Sequence, residues 1–394
     1  MDVGGTVQHG FEPVRDAFAA AQADDRGGAQ LCIFRHGEIV VDLWAGRDVA
    51  NDRPYTADTI TILMSCTKAA VAVCAHMMAE RGLLDLQAPV HRYWPQFAQN
   101  GKEQVRVAHL LSHSAGLFGF DPDSGIDARA TLDWQACRHA LEAMSPIWPP
   151  GSAYLYHFIT YGVLVGEVLQ RAAGMPIDAF FADEVAAPLK LDMWLGNLPE
   201  RCESRVAPHI RSNVAFTAEQ VTATFKAMGL DVTSRLVGTL IDTMVTTEGL
   251  IELLKTRAGR VAVVPAANAL SNARSLAKMY AACIGEVDGI RLLSGAAIER
   301  ARQPQTDHLN GPPPLTIRTG SPQRFGLGFE LPRDSVPMAG LGSFGHPGAG
   351  GRYAFACPEN GYAAAYVCNN LVWDGVNPDP RWGWNRALTK IIQA

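Results

Sequence analysis

A chain of 394 residues, 48% hydrophobic and 19% charged, is long enough to bury more than one core, so two subdomains are the natural expectation. Its formal net charge of -5 comes from interspersed acids and bases, with no lysine or arginine stripe to neutralise phosphates, and nucleic acid is not an expected partner. The eight cysteines form no CxxC pair, which argues for reduced thiols and against a zinc ribbon.

The opening stretch, MDVGGTVQHGFEPVRDAF, has neither a basic region nor an apolar core of the secretory kind. The longest apolar run, residues 69 to 79, is interrupted by His76 and is too short to span a bilayer. The expectation is a soluble, cytoplasmic protein with no membrane partner.

Residues 31 to 45, LCIFRHGEIVVDLWA, place β-branched and aromatic runs on either side of RHGE and predict a hairpin. From Ser65 to Arg81, Val71, Cys74, Met77 and Met78 follow helical spacing, and Gly82 offers the stop. Residues 148 to 174 predict a turn carrying Tyr156, then an apolar helix ending at Gly174. Residues 214 to 256 lack proline and repeat Val221, Phe225, Met228 and Leu236, Leu240, Met244 at helical spacing, which predicts a helical layer. That layer could wall an acyl pocket or merely cap the fold. Near the C-terminus, RYAFACPENGYAAAYVCNN predicts a second hairpin around PENG. Strands from both chain ends, joined through helices, imply an α+β fold with one antiparallel sheet. The expected domains are discontinuous: residues 1–110 with 261–394 as the sheet domain, and 111–260 as a mainly helical one.

The chemistry concentrates in TILMSCTKAA, where Ser65 and Lys68 stand three apart. A serine hydroxyl becomes a useful nucleophile when a nearby base takes its proton. Positions three apart share a helix face, so the two side chains can meet if the helix begins at or near Ser65. Free amides and the positive dipole end at that start would also favour an oxyanion. Lys68 must be partly neutral to act as base, and the apolar AAVAVCAHMMA that follows supplies the burial to depress its pKa. Alone, Ser-x-x-Lys is a weak motif that occurs by chance in many chains of this length and reads more readily as a surface lysine and a helix cap.

Other residues admit competing readings. Tyr156 could be a half-buried aromatic that anchors its loop. His346, in the glycine-rich FGHPGAGGRYAFA, could line a pocket or be satisfied by a neighbouring carbonyl. Cys66 should face away from Lys68 and pack as a small apolar residue. His109 and His113 have the spacing of paired metal ligands, yet no HExxH or third ligand accompanies them, and no metal is expected. SHSAG at 112 to 116 is not a Gly-x-Ser-x-Gly elbow, which disfavours an α/β-hydrolase.

Taken in order, Ser65-x-x-Lys68, Tyr156 and His346-x-Gly348 resemble the serine β-lactamase and penicillin-binding-protein superfamily, with His346-x-Gly348 in place of Lys-Thr-Gly. The chain is most similar to its class C-like serine hydrolases, the family VIII carboxylesterases. RPYTADTI, ERGLLDLQAPVHRYWPQF, LLSHSAGL, ANALSNARSLAKMYAA and RFGLGFEL add to the resemblance, which is weakest over residues 211 to 260.

The resemblance implies a β-lactamase/transpeptidase-like fold. It implies that Ser65 is acylated, that Lys68 and Tyr156 transfer protons, and that the amides of Ser65 and Ala349 form the oxyanion hole. Gly348 would let its strand approach the substrate. Two departures matter: Tyr156-His157-Phe158 lacks the asparagine of Tyr-x-Asn, and neutral His346 would bind a substrate carboxylate poorly. Both favour neutral esters over penicillins. The expected function is therefore a carboxylesterase for short- to medium-chain acyl esters, with no cofactor and an ester as its small-molecule partner. Acyl transfer, weak β-lactamase activity and an idle ligand-sensing role stay as alternatives, and a homo-oligomer is left open.

Overall fold

In the computed structural model, residues 2–211, 216–315, 322–372 and 379–393 are described. Both chain ends feed one antiparallel sheet. Its main strands are β1 (Gly4–Val7), β2 (Gly28–Arg35), β3 (Glu38–Asp48), β4 (Phe344–Gly348), β5 (Arg352–Cys357) and β6 (Tyr362–Cys368), in the spatial order β1-β3-β2-β6-β5-β4, and the two-residue strand Arg53–Pro54 pairs with the end of β3. The two predicted hairpins are present. Between β2 and β3, His36 and Gly37 both take positive φ, 47° and 84°, as a two-residue turn with matching twist requires. Between β5 and β6, Pro358–Asn360 makes a short 3-10 turn that closes at Gly361. The ends of the chain meet where β2 pairs β6, with Cys32 opposite Ala365.

Helices cover both faces, so β5 and β6 are buried along their whole length. Side chains alternate between two cores. Ala29, Leu31, Ile33, Phe355 and Tyr366 face α1 (Glu12–Gln22) and the C-terminal α6 (Gly383–Gln393). Cys32, Phe34, Ala354, Ala356, Ala363 and Ala365 face α5 (Ala273–Ile284). The alanines on that side leave room for α5 to lie close to the strands.

Beyond α5 lie α2 (Thr67–Glu80) and α3 (Thr160–Ala173), which pack on each other. Every residue of α2 from Thr67 to Met78 is buried, as expected of a helix that is apolar all round. Residues 214 and 215 of the expected helical layer lie outside the described residues; the rest holds a helix at Ala218–Ala227 and the long α4 (Arg235–Leu253). Residues 111–260 also hold a three-residue strand, Met193–Leu195. That strand pairs with Ala269–Ser271, which pairs in turn with Thr61–Ile62. This small sheet ends at the turn bearing Ser65.

Among the described residues, no helix is long and apolar enough to cross a membrane. All eight cysteines are free and buried.

Candidate active site

Ser65 sits in a 3-10 turn, Met64–Cys66, and the α-helix proper begins at Thr67. The serine thus precedes the helix by one short turn. Met64 takes φ 50°, a left-handed conformation that a side chain this large seldom adopts. Tertiary bonds hold the turn in place: Leu63 N–H donates to the Ala269 carbonyl at 2.8 Å, and Ala269 N–H donates to Thr67 Oγ1 at 2.9 Å. Ser65 itself is half-buried, with its hydroxyl open to a pocket.

Lys68 Nζ lies 3.3 Å from Ser65 Oγ and donates to the Ala266 carbonyl at 3.0 Å. The residue is 1% exposed. Burial drives its pKa well below the usual lysine range, with nearby Cys66 acting the other way. As a neutral amine, Nζ can donate to Ala266 and still offer its lone pair to the Ser65 hydroxyl. The Ala266 segment comes this close because α3 carries glycine at 162, where a Cβ would stand 2.7 Å from Ala266 N.

Tyr156 precedes α3 as expected, but the amine meets its ring rather than its hydroxyl. Lys68 Nζ sits 4.7 Å from the ring centroid. The ring face would favour a cation; with Lys68 this deeply buried, desolvation wins and the contact is that of an amine on a π face. Tyr156 Oη is buried without a hydrogen-bond partner. Burial raises the phenol well above its ordinary value, while the facing Ser65 hydroxyl opposes that rise. No hydrogen bond of ordinary geometry joins the two hydroxyls, so the phenol faces the Ser65 side chain without bonding to it.

His346 lies on β4, its ring 5.9 Å from that of Tyr156. Its Nδ1–H donates to the Pro347 carbonyl at 2.6 Å, and Nε2 is buried without a partner. Burial, then the proximity of Lys68, lowers its pKa to about 3, so the imidazole is neutral. It stands behind Tyr156 and is not among the residues lining the pocket at Ser65. Ala349 does line that pocket, and among the described residues neither its N–H nor that of Ser65 has a protein acceptor. Gly348 allows a close approach within the protein itself. A Cβ there would stand 2.5 Å from the Leu63 carbonyl and 3.2 Å from Cys66 Sγ, so what comes close is the turn that bears Ser65. Cys66 points away from Lys68, its Sγ donating to the His346 carbonyl at 3.1 Å. Burial pushes that thiol up to about 12, which leaves no thiolate at neutral pH.

His109 and His113 do not converge. His109 Nδ1 accepts from the Arg106 N–H at the start of its short helix. His113 lies instead among Tyr156, Tyr161 and Phe325. Its carbonyl accepts the Leu155 N–H and its Nδ1 accepts the His157 N–H. Sequence reasoning singled out His113 only for its spacing from His109, not for its place beside Tyr156, and it missed Ala266. A backbone carbonyl carries no sequence signature, and only the LLSHSAGL resemblance hinted at His113.

Residues 14–387 match the Beta-lactamase family. The chain is 32% identical over 385 residues to the esterase/beta-lactamase LipL of Mycobacterium tuberculosis, covering 93% of this chain and 83% of that protein. Among solved structures, a family VIII carboxylesterase aligns with a TM-score of 0.81 at 30% identity, covering 99% of this chain and 100% of the other. A penicillin-binding protein homologue from Caulobacter crescentus aligns with a TM-score of 0.79 at 32% identity, over 98% of each chain. EstA from Arthrobacter nitroguajacolicus Rue61a gives 0.83 at 26% identity, over 100% of this chain and 99% of the other. A match that runs across almost the whole sequence, on a fold shared end to end with those structures, means that this chain belongs to the β-lactamase family, within the superfamily of serine β-lactamases and penicillin-binding proteins.

Proposed function

We propose that this protein is a carboxylesterase that works through an acyl-enzyme on Ser65. The observation that carries the reading is the buried Lys68 amine, 3.3 Å from Ser65 Oγ and depressed in pKa by desolvation. Ser65 Oγ attacks the ester carbonyl as its proton passes to Lys68 Nζ. The oxyanion is held by the Ser65 and Ala349 amides. The tetrahedral intermediate then collapses, and the alcohol leaves with a proton relayed through Lys68 and Tyr156. Water attacks the acyl-enzyme, giving up one proton to the same pair, and the acid departs with the Ser65 hydroxyl restored. Lys68 is the base of both halves, because its amine is neutral while the raised Tyr156 phenol keeps its proton.

Neutral His346 and the missing Tyr-x-Asn amide leave no charged or amide partner for a β-lactam at those positions, which favours ester substrates. Relatives named for esterase and β-lactamase activity support the same division of tests. Ser65→Ala is expected to abolish hydrolysis of 4-nitrophenyl butyrate, while Cys66→Ala keeps it. A chromogenic cephalosporin is expected to turn over poorly or not at all. Full turnover by Ser65→Ala, or loss confined to Cys66→Ala, would reject the assignment.

A further inference from the structure

The turn between β4 and β5, residues 349–351, carries the Ala349 amide, and each of its carbonyls is held by a side chain. Ala349 O accepts from Arg352 Nη1 at 2.8 Å, Gly350 O from Arg381 Nη2 at 2.8 Å, and Gly351 O from Trp382 Nε1 at 2.8 Å. Gly350 and Gly351 take φ 77° and 94°, and both arginines lie against this bare backbone. Arg352 differs from the other two holders. It is fully buried, and its Nε also donates to the Ile62 carbonyl at 2.9 Å, three residues before Ser65. Arg381 is paired with Asp379 and Asp25. Among the described residues Arg352 has no carboxylate partner, and its Nη2 is buried without an acceptor. A lone buried cation is costly to keep, and an apolar side chain of similar size would fill the same space without that cost.

We infer that Arg352 is a positioning residue for acyl transfer: it fixes the Ala349 amide relative to the Ser65 amide and keeps a permanent positive charge beside Ala349; this deepens the esterase reading and rests on it. The guanidinium is a rigid plane, so its bonds to the Ile62 and Ala349 carbonyls lock together the two segments that supply the amides. Gly348, lying against the Leu63 carbonyl, closes the same joint from the β4 side. The charge also reaches the turn that bears Ser65. At Cys66, the next residue, burial raises the thiol and Arg352 is the strongest influence opposing that rise. As Ser65 Oγ bonds to the ester carbon and its proton passes to Lys68, the carbonyl π pair moves onto oxygen. A fixed cation and fixed amides favour that oxyanion over the neutral ester, so Arg352 acts on the transition state and spares substrate binding.

The test compares Arg352→Met and Arg352→Lys with the parent in two readouts: steady-state hydrolysis of 4-nitrophenyl butyrate, and inhibition by an alkyl trifluoromethyl ketone, which Ser65 converts to a hemiketal oxyanion. Arg352→Met is expected to lower kcat by about 10²-fold and to weaken the ketone by a similar factor. Its KM should stay within about threefold of the parent. Arg352→Lys keeps the charge but not the bridge between two carbonyls, and should fall about tenfold below the parent in both kcat and ketone affinity. Folded variants that keep both, or whose loss lies in KM, would overturn the role of Arg352 alone. If Arg352→Met does not fold, parent-like kcat and ketone affinity in Arg352→Lys would overturn it, and failure of both to fold would make the arginine a requirement of folding instead. Hydrolysis of no ester by the parent enzyme, or hydrolysis independent of Ser65, would overturn the esterase reading and this inference with it.

Discussion

His113 holds Tyr156 from both sides. Its carbonyl takes the N–H of the residue before the tyrosine at 3.2 Å, its Nδ1 takes the N–H of the residue after at 3.1 Å, and its ring stands 4.7 Å from the phenol ring. Only a neutral imidazole can accept at Nδ1, and burial first, then His157, Lys68 and His346, keep the histidine well below its ordinary pKa. His113 also occupies φ 61°, a left-handed conformation.

His113→Ala should therefore leave the buried His157 N–H unsatisfied, costing about 1–3 kcal/mol of stability. It should also loosen Tyr156 enough to lower kcat by about 100-fold. His113→Asn is expected to recover part of both, because asparagine tolerates left-handed backbone and its Oδ1 can accept. Urea unfolding and steady-state hydrolysis of a butyrate ester check this; an alanine variant with undiminished kcat would remove His113 from the positioning of Tyr156.

The depressed Lys68 pKa has a sign that kinetics can read. In the proposed mechanism Lys68 works unprotonated, and its folded-state pKa lies well below 10.5, so the active form is populated from that lowered value upward. For an uncharged ester, kcat/KM should rise with pH through the Lys68 titration and then stay level above it. No alkaline fall belongs to Tyr156, whose phenol is raised well above 10. Lys68→Arg cannot supply a neutral base and should lose about 10²–10⁴-fold at every pH measured. An acid limb that survives unchanged in that variant would assign the base elsewhere.

Gly348 is required by space, at the contact between β4 and the nucleophile turn. Gly348→Ala would bring a methyl group to 2.5 Å from the Leu63 carbonyl, a backbone atom that cannot step aside. The variant should lose about 1–3 kcal/mol in thermal unfolding. By displacing the Ala349 amide it should depress kcat more than it changes KM. Parent-like kcat in a folded variant would separate Ala349 from the oxyanion site.

The hairpins were legible because their turn chemistry is local: His36-Gly37 and Pro358 to Gly361 specify reversals whatever surrounds them. α2 and α3 were legible because a long apolar run with a glycine stop needs little context. The three-residue strand Met193–Leu195 was not, since so short a strand exists only through its partner Ala269–Ser271.

Residue types and spacing alone determined that a serine and a lysine could share one face at the start of an apolar helix, and that a histidine stands at 346 where the resemblance has lysine. Tertiary structure decided the rest. It set the serine in a turn ahead of the helix and tied the lysine to the Ala266 carbonyl. It put the amine over the tyrosine ring and swung α4 round to close the pocket. The reason is physical: a pKa and a cavity depend on which distant segments exclude water from a group, and sequence spacing does not record that.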